Sequence, residues 1–143
     1  MPLAWDRTLS MGVDELDDQH REIITRMRVL GDAIGADERE TMVRAAAELV
    51  RCVSRHFRLE ERCMRIRGYP RLGSHAQVHD LGLQALGRAA QLCALEGASE
   101  RFLEQVERSA RWLDVHLRSE DLALGNYLRD HAAGPSSARR ARA

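Results

Sequence analysis

The chain has 143 residues, 22 of them basic and 22 acidic, and its formal net charge is zero. This length predicts one domain with its own core, and the balanced charge argues against a nucleic-acid or membrane-surface binder. The three cysteines lack CxxC spacing, no apolar run could span a bilayer and the N-terminal residues lack the basic-then-apolar layout of a secretory signal. These features predict a soluble protein of the reducing cytoplasm.

Good helix formers dominate the sequence, and its three prolines leave two long stretches free of breakers. The spacing of apolar residues predicts four long helices and a short fifth, at about 14–34, 38–67, 71–95, 99–118 and 120–130. We predict an all-α fold: an antiparallel up-down-up-down four-helix bundle with an N-terminal arm, which contains Trp5, and a short C-terminal fifth helix. Residues 1–131 are expected to form this domain, and residues 132–143, with Arg139, Arg140 and Arg142, a disordered basic tail.

Histidines interrupt the apolar stripes of all four long helices. A lone core histidine usually bonds to a neighbour, but several neutral imidazoles cannot easily satisfy one another, and charged ones repel. The sixth histidine, His131, fits no ligand spacing and is predicted to lie at the surface. The five histidines on the apolar stripes therefore predict a metal site. They are His20, His56, His75, His79 and His116.

Spacing along the helices supports this hypothesis. His56 and Glu60 are four residues apart, as are His75 and His79, so each pair shares a helix face. In an antiparallel bundle these positions fall at one end, on the order of 10–15 Å from the turn between the second and third helices. Cys52 and Cys63 are interpreted as small buried apolar groups rather than ligands.

A second carboxylate, Asp121, follows His116 by five residues and lies about 140° around a straight helix from it. Asp121 can reach the site only if the helix breaks between the two residues. Ser119 is predicted to cap a new short helix there, which would turn Asp121 inward. Otherwise Asp121 would be a solvated acid of the first helical turn.

Residues 5–128 resemble the hemerythrin family in its bacterial single-domain form. The resemblance rests on GVDELDDQH, HFRLEERCM, GYP, HAQVHD and WLDVHLRSED, in this order. It implies a non-haem di-iron site bridged by an oxo or hydroxo group. His75, His79 and His116 would bind one iron, His20 and His56 the other, and Glu60 and Asp121 would bridge the two.

The resemblance further implies reversible dioxygen binding, for carriage, storage or delivery, at an open position on the second iron. An apolar pocket would surround it, lined by Ile23, Phe57, Trp112 and Leu113, while Arg118 is expected to reach solvent. Nitric oxide or small anions are further candidate ligands, and the protein recipient is undefined. A site with five imidazoles and two carboxylates favours reversible dioxygen binding over the oxidising chemistry of carboxylate-rich di-iron oxygenases, so no enzyme activity is expected. The alternatives are an oxygen or redox sensor acting through a partner, a di-iron peroxide or nitric oxide reductase, and an iron-handling protein.

Overall fold

The structure is a computed structural model that describes residues 4–131. A 3₁₀ turn, Arg7–Leu9, precedes five α-helices, and this part of the chain contains no strand. The helices are α1 (Asp14–Gly35), α2 (Arg39–Ile66), α3 (Leu72–Glu96), α4 (Glu100–Arg118) and α5 (Glu120–Asp130). The all-α prediction is confirmed, and the tail predicted at 132–143 lies outside the described residues. Between residues 4 and 131, no helix combines the length and apolarity that a membrane span requires.

Local sequence explains where these helices begin and end. Ser99 caps α4 by accepting a hydrogen bond from the Phe102 amide at 3.1 Å. Gly68 and Gly97 follow α2 and α3 with φ of 64° and 66°, values that favour glycine at a helix end. The observed bounds lie within one residue of those predicted from the sequence.

Successive helices pack against each other in chain order: α1 on α2, α2 on α3 and α3 on α4, with α5 and the 3₁₀ turn against α4. Apolar side chains of α1 to α4 form a main core, which contains Ile23, Val53, Leu86 and Leu113. A second cluster, the terminal core, consists of Met11, Leu16, Met64, Tyr69, Leu124 and Leu128. Leu16 precedes His20 by one turn and Met64 follows Glu60 by one turn, so a polar layer separates the two cores.

Candidate metal centre

The polar layer contains seven buried histidines and carboxylates, none more than 2% exposed, from all five helices. They form two overlapping groups, and the ligand atoms within each group lie within 4.8 Å of one another. The three-imidazole group consists of Glu60, His75, His79, His116 and Asp121. The two-imidazole group consists of His20, His56, Glu60 and Asp121. The structure thus brings together all seven residues that the sequence predicts as ligands, and both groups share the same two carboxylates.

The later part of α2 does not bury every apolar residue that the three- and four-residue spacing would place inside. Leu59, which the three- and four-residue spacing places on the inner face, is only half-buried, whereas Glu60 is fully buried. Leu59 packs at the edge of the terminal core instead. The inner face of α2 therefore runs through Phe57, Glu60 and Met64, which places a carboxylate at its centre.

A break between α4 and α5 brings Asp121 into the site. Ser119 separates the two helices, as predicted, but its hydroxyl donates to the Val115 carbonyl at 2.6 Å and caps no amide of α5. The capping role predicted for Ser119 is therefore wrong, although the break itself is present. Asp121 is fully buried beyond this break, so it is not the solvated acid that a continuous helix would present.

Each carboxylate divides its two oxygens between the two groups. Glu60 Oε2 lies 2.7 Å from His56 Nε2, and Glu60 Oε1 lies 2.7 Å from His75 Nε2. Asp121 Oδ2 lies 3.0 Å from His20 Nε2, and Asp121 Oδ1 lies 2.9 Å from His116 Nε2. Both carboxylates therefore reach from one group to the other, as ligands shared by two cations would.

Many of these close contacts are not aligned as hydrogen bonds. Within residues 4–131, no hydrogen-bond partner satisfies either oxygen of Glu60, Asp121 Oδ1, or the Nε2 atoms of His75, His79 and His116. Unpaired buried polar atoms are rare because they are costly, so a cluster of them requires an explanation. Imidazole nitrogens and carboxylate oxygens together suit first-row transition metals, including iron. The residues present therefore fit a pair of cations in the polar layer.

The protein's own charged and polar groups give the buried histidines different pKa values. Burial opposes protonation of His56, but the charge of Glu60 and hydrogen bonding with Asp121 outweigh it and raise its pKa to about 9. Burial likewise opposes protonation of His75, yet the carboxylates of Asp121 and Glu60 beside its Nε2 atom raise its pKa to about 9. Burial and the nearby His75 and His116 lower the pKa of His79 to about 2. Despite burial, the close approach of the His116 and His20 imidazoles holds the pKa of Asp121 well below its usual range.

Gln19 and Glu61, for which no role was predicted from the sequence, orient two of the histidines from outside the polar layer. His56 Nδ1 donates to Gln19 Oε1 at 3.0 Å, and His79 Nδ1 donates to Glu61 Oε1 at 3.4 Å. Such bonds fix which ring nitrogen faces a cation. Gln19 and Glu61 each adjoin a ligand in sequence, a signal that could have identified them.

The four predicted pocket residues occupy different environments. Ile23 and Leu113 are fully buried in the main core. Phe57 stacks on His79, with ring centroids 3.7 Å apart, and half-buried Trp112 stacks on His116 at 4.9 Å. The two aromatic rings therefore cover the three-imidazole group.

Residues given other interpretations lie apart from the two groups. Arg118 is exposed and pairs with Asp114 at 2.9 Å, so it reaches solvent as expected. His131 is exposed immediately after the last residue of α5. All three cysteines are free; Cys52 is buried as expected, whereas Cys63 is only half-buried.

The fold and the seven-residue cluster define a helical protein with a buried histidine–carboxylate site of the cation-binding class. The sequence model of the family described as "Hemerythrin HHE cation binding domain" matches residues 11–128. The chain therefore belongs to the hemerythrin family.

Relatives from several organisms support this assignment. A bacteriohemerythrin of Stenotrophomonas maltophilia is 30% identical over 130 residues, which cover 90% of this chain and 83% of the relative. A bacteriohemerythrin of Pseudomonas paraeruginosa is 28% identical over 120 residues, covering 83% and 76% of the two chains. A myohemerythrin of Theromyzon tessulatum is 26% identical over 121 residues, covering 84% and 88%.

Proposed function

We propose that this protein binds dioxygen reversibly at a non-haem di-iron centre, for carriage, storage or delivery. The observation that carries the proposal is the unequal division of five buried imidazoles, three and two, around two shared carboxylates. If the shared carboxylates and the bridging oxygen contribute equally to both groups, the group with two imidazoles has one ligand fewer than the group with three. The names of the relatives agree with this function, since they include bacteriohemerythrins and a myohemerythrin.

In this proposal, His75, His79 and His116 would hold one iron, and His20 and His56 would hold the other. Glu60 and Asp121 would be shared by both irons, together with a solvent-derived oxo or hydroxo group. When bound, the iron pair supplies two electrons and one open coordination position for a small molecule such as dioxygen or nitric oxide. No chemistry is required of the protein itself, so we propose a binding protein rather than an enzyme.

The protein's own residues control access to the pair. Ile23, Leu113 and Phe57 are fully buried around the polar layer and keep water from it. Exclusion of water limits the side reactions that would oxidise the irons irreversibly. The stacking of Phe57 on His79 and of Trp112 on His116 holds those two imidazoles in one orientation.

The domain assignment and topology belong to the same proposal. We propose that residues 1–131 form one domain with antiparallel up-down-up-down helices, which the packing of successive helices and their short connections support. A cytoplasmic location remains a prediction from cysteine usage.

Reconstitution tests the function directly. Metal analysis of the iron-loaded protein is expected to give two irons per chain. Under air, the ferrous protein should gain a visible absorption band that disappears again under argon, over repeated cycles. One zinc per chain, or no reversible spectral change, would contradict the proposal. Rapid turnover of peroxide or nitric oxide would show an enzyme instead.

A further inference from the structure

The metal centre is closed off from solvent, so an electron that reaches it must cross the protein. None of the five imidazoles in the polar layer is more than 2% exposed. In the part of the chain that the structure describes, two aromatic rings stack on a ligand: Phe57 on His79 and Trp112 on His116. Phe57 is fully buried, whereas Trp112 is half-buried and reaches solvent. Trp112 therefore connects a ligand directly to the surface.

Contacts with two helices fix the position of the indole ring. Its plane lies at 12° to the imidazole of His116, with 4.9 Å between the ring centroids. The ring also lies against α3 at Gly82, where a Cβ atom would come within 2.2 Å of Cη2 of Trp112. Electron transfer slows steeply as the gap between donor and acceptor widens, and two rings in contact leave little gap. Trp112 can therefore relay an electron to His116 by tunnelling, with no bond formed or broken in either residue.

Two strongly exposed apolar side chains flank this ring. Leu81 adjoins Gly82 on α3, Val115 follows Trp112 by three residues on α4, and each is 64% exposed. A single exposed aliphatic side chain is ordinary, but two beside a partly exposed tryptophan are typical of a protein contact, where aromatic residues are enriched. We call Leu81, Trp112 and Val115 the Trp112 patch.

A basic groove between α3 and α4 adjoins the Trp112 patch. Arg108, which lies one turn before the patch on α4, lines this groove of about 260 Å³ together with Arg88, Arg101 and Glu104. Arg101 pairs with Glu96, but neither Arg88 nor Arg108 pairs with a carboxylate of residues 4–131. Because the chain as a whole is neutral, this local positive charge favours a partner with an acidic surface.

We propose that the Trp112 patch and the basic groove dock an acidic protein that carries single electrons, and that Trp112 relays those electrons to the centre through His116. The proposal rests on the proposed function, because only a ferrous pair binds dioxygen and a pair that has become ferric must be reduced again. In each transfer the carrier loses one electron and one ferric iron becomes ferrous, so two transfers restore the pair. Electron-transfer contacts are small and short-lived, which suits a patch of this size.

Calorimetric titration of the iron-loaded ferric chain with oxidised flavodoxin tests the docking surface. Flavodoxin is an acidic one-electron carrier, and its oxidised form donates no electron, so the titration measures binding alone. Binding should weaken as salt is added, because salt screens the attraction between the charges. Leu81→Asp and Arg108→Glu should each weaken binding about tenfold. Ile66→Asp and Arg44→Glu, at exposed positions on α2, are the matched controls and should leave binding unchanged.

The absence of binding, or an equal loss of affinity in the patch variants and the controls, would overturn the docking surface. All four positions are exposed, so these substitutions leave the core intact.

Stopped-flow reduction of the ferric chain by reduced flavodoxin tests the route. With the carrier at saturation, the first-order rate reports electron transfer rather than docking. Trp112→Phe should slow this rate several-fold, because the smaller ring leaves a gap to His116, and Trp112→Tyr should recover part of it. Trp5→Phe is the matched control, since Trp5 is tilted and lies 6.5 Å from the ring of His20 without stacking on it. Equal rates in wild type and Trp112→Phe would overturn the route.

The two proposals fail in different ways. Binding and reduction by flavodoxin in a protein that takes up no dioxygen would contradict the proposed function alone. Reversible dioxygen uptake by a protein that does not bind flavodoxin would contradict the docking surface alone.

Discussion

The two ring nitrogens of each histidine in the polar layer have different surroundings. The Nε2 atoms face the shared carboxylates, while the outer Nδ1 atoms of His56 and His79 meet a neutral amide and a carboxylate, respectively. A carboxylate acceptor makes an imidazole more basic and a better ligand than an amide acceptor does. Glu61 should therefore strengthen cation binding in the three-imidazole group.

Glu61→Gln is expected to weaken cation binding by about tenfold, because an amide replaces the charge at His79 while the bond to Nδ1 is kept. The measurement is a competitive titration with Co²⁺ against a chelator. Glu40→Gln, at a position whose side chain is 95% exposed, controls for the loss of one negative charge. Equal affinity in the two variants would show that Glu61 plays no part in holding the centre.

A glycine of α3 provides the space that Trp112 occupies beside His116. A Cβ atom at Gly82 would lie 2.2 Å from Cη2 of Trp112, far inside contact distance. Gly82→Ala should therefore displace the indole ring and lower the free energy of unfolding by about 1–3 kcal/mol.

Gly87 offers the matched control on the same helix. A Cβ atom there would have no neighbour within 4 Å, so Gly87→Ala should stabilise the protein by about 0.5–1 kcal/mol. Urea denaturation of both variants measures the two effects. A stable Gly82→Ala variant would mean that the indole ring moves freely.

Among the elements, the long helices follow from local signals in the sequence, whereas the place of Asp121 in the site required a helix break that residue spacing alone left open. Apolar periodicity, Ser99 and the two glycines at helix ends are local signals, and they determine α1 to α4 almost completely. The burial of Asp121 depends instead on how α5 packs against distant parts of the chain. The burial of Glu60 in place of Leu59 has the same cause, because the helices packed around α2 decide which of its residues face inward.

The N-terminal segment determines where α5 lies. Asp17 of α1 accepts hydrogen bonds from the Met11 amide at 2.7 Å and from the Ser10 hydroxyl at 2.6 Å, which fixes this segment. A Cβ atom at Gly125 would lie 2.8 Å from Cα of Met11. The backbone of α5 therefore rests directly on the segment, one turn after Asp121.

Gly125→Ala is expected to push α5 outward and move Asp121 away from the histidines. Because the obstacle is backbone, relief requires movement of the helix, so we expect a loss of about 1–3 kcal/mol in stability and weaker cation binding. Denaturation and Co²⁺ titration measure the two effects, with Gly87→Ala as the control. Unchanged Co²⁺ affinity would show that α5 can shift without moving Asp121.

At the scale of the whole molecule, the polar layer is a buried set of charges between two apolar cores. The sequence predicts which seven residues meet there, because helical spacing and chain order place six of them at one level and a helix break after His116 turns the seventh, Asp121, inward. It does not predict the outer bonds of Gln19 and Glu61, nor the protonation of each imidazole, because both depend on distances of a few ångströms. Protonation matters because a cation must displace the protons that the layer already holds.

Cation loading should therefore release protons. The pKa values of His56 and His75 are raised to about 9, so both are charged at pH 7 in the protein alone, whereas His79, with a pKa of about 2, is neutral. Histidine binds metal only as the neutral imidazole, so these two residues should release about two protons per chain when both cations bind at pH 7. Affinity should fall as the pH is lowered below about 9 and level off above it. Calorimetric titration with Co²⁺ in buffers of different ionisation enthalpy measures the release, and His131→Gln, which removes the exposed histidine, should leave it unchanged. A release close to zero would mean that the carboxylates do not hold His56 and His75 in their charged form, and affinity would then lose its dependence on pH between 7 and 9.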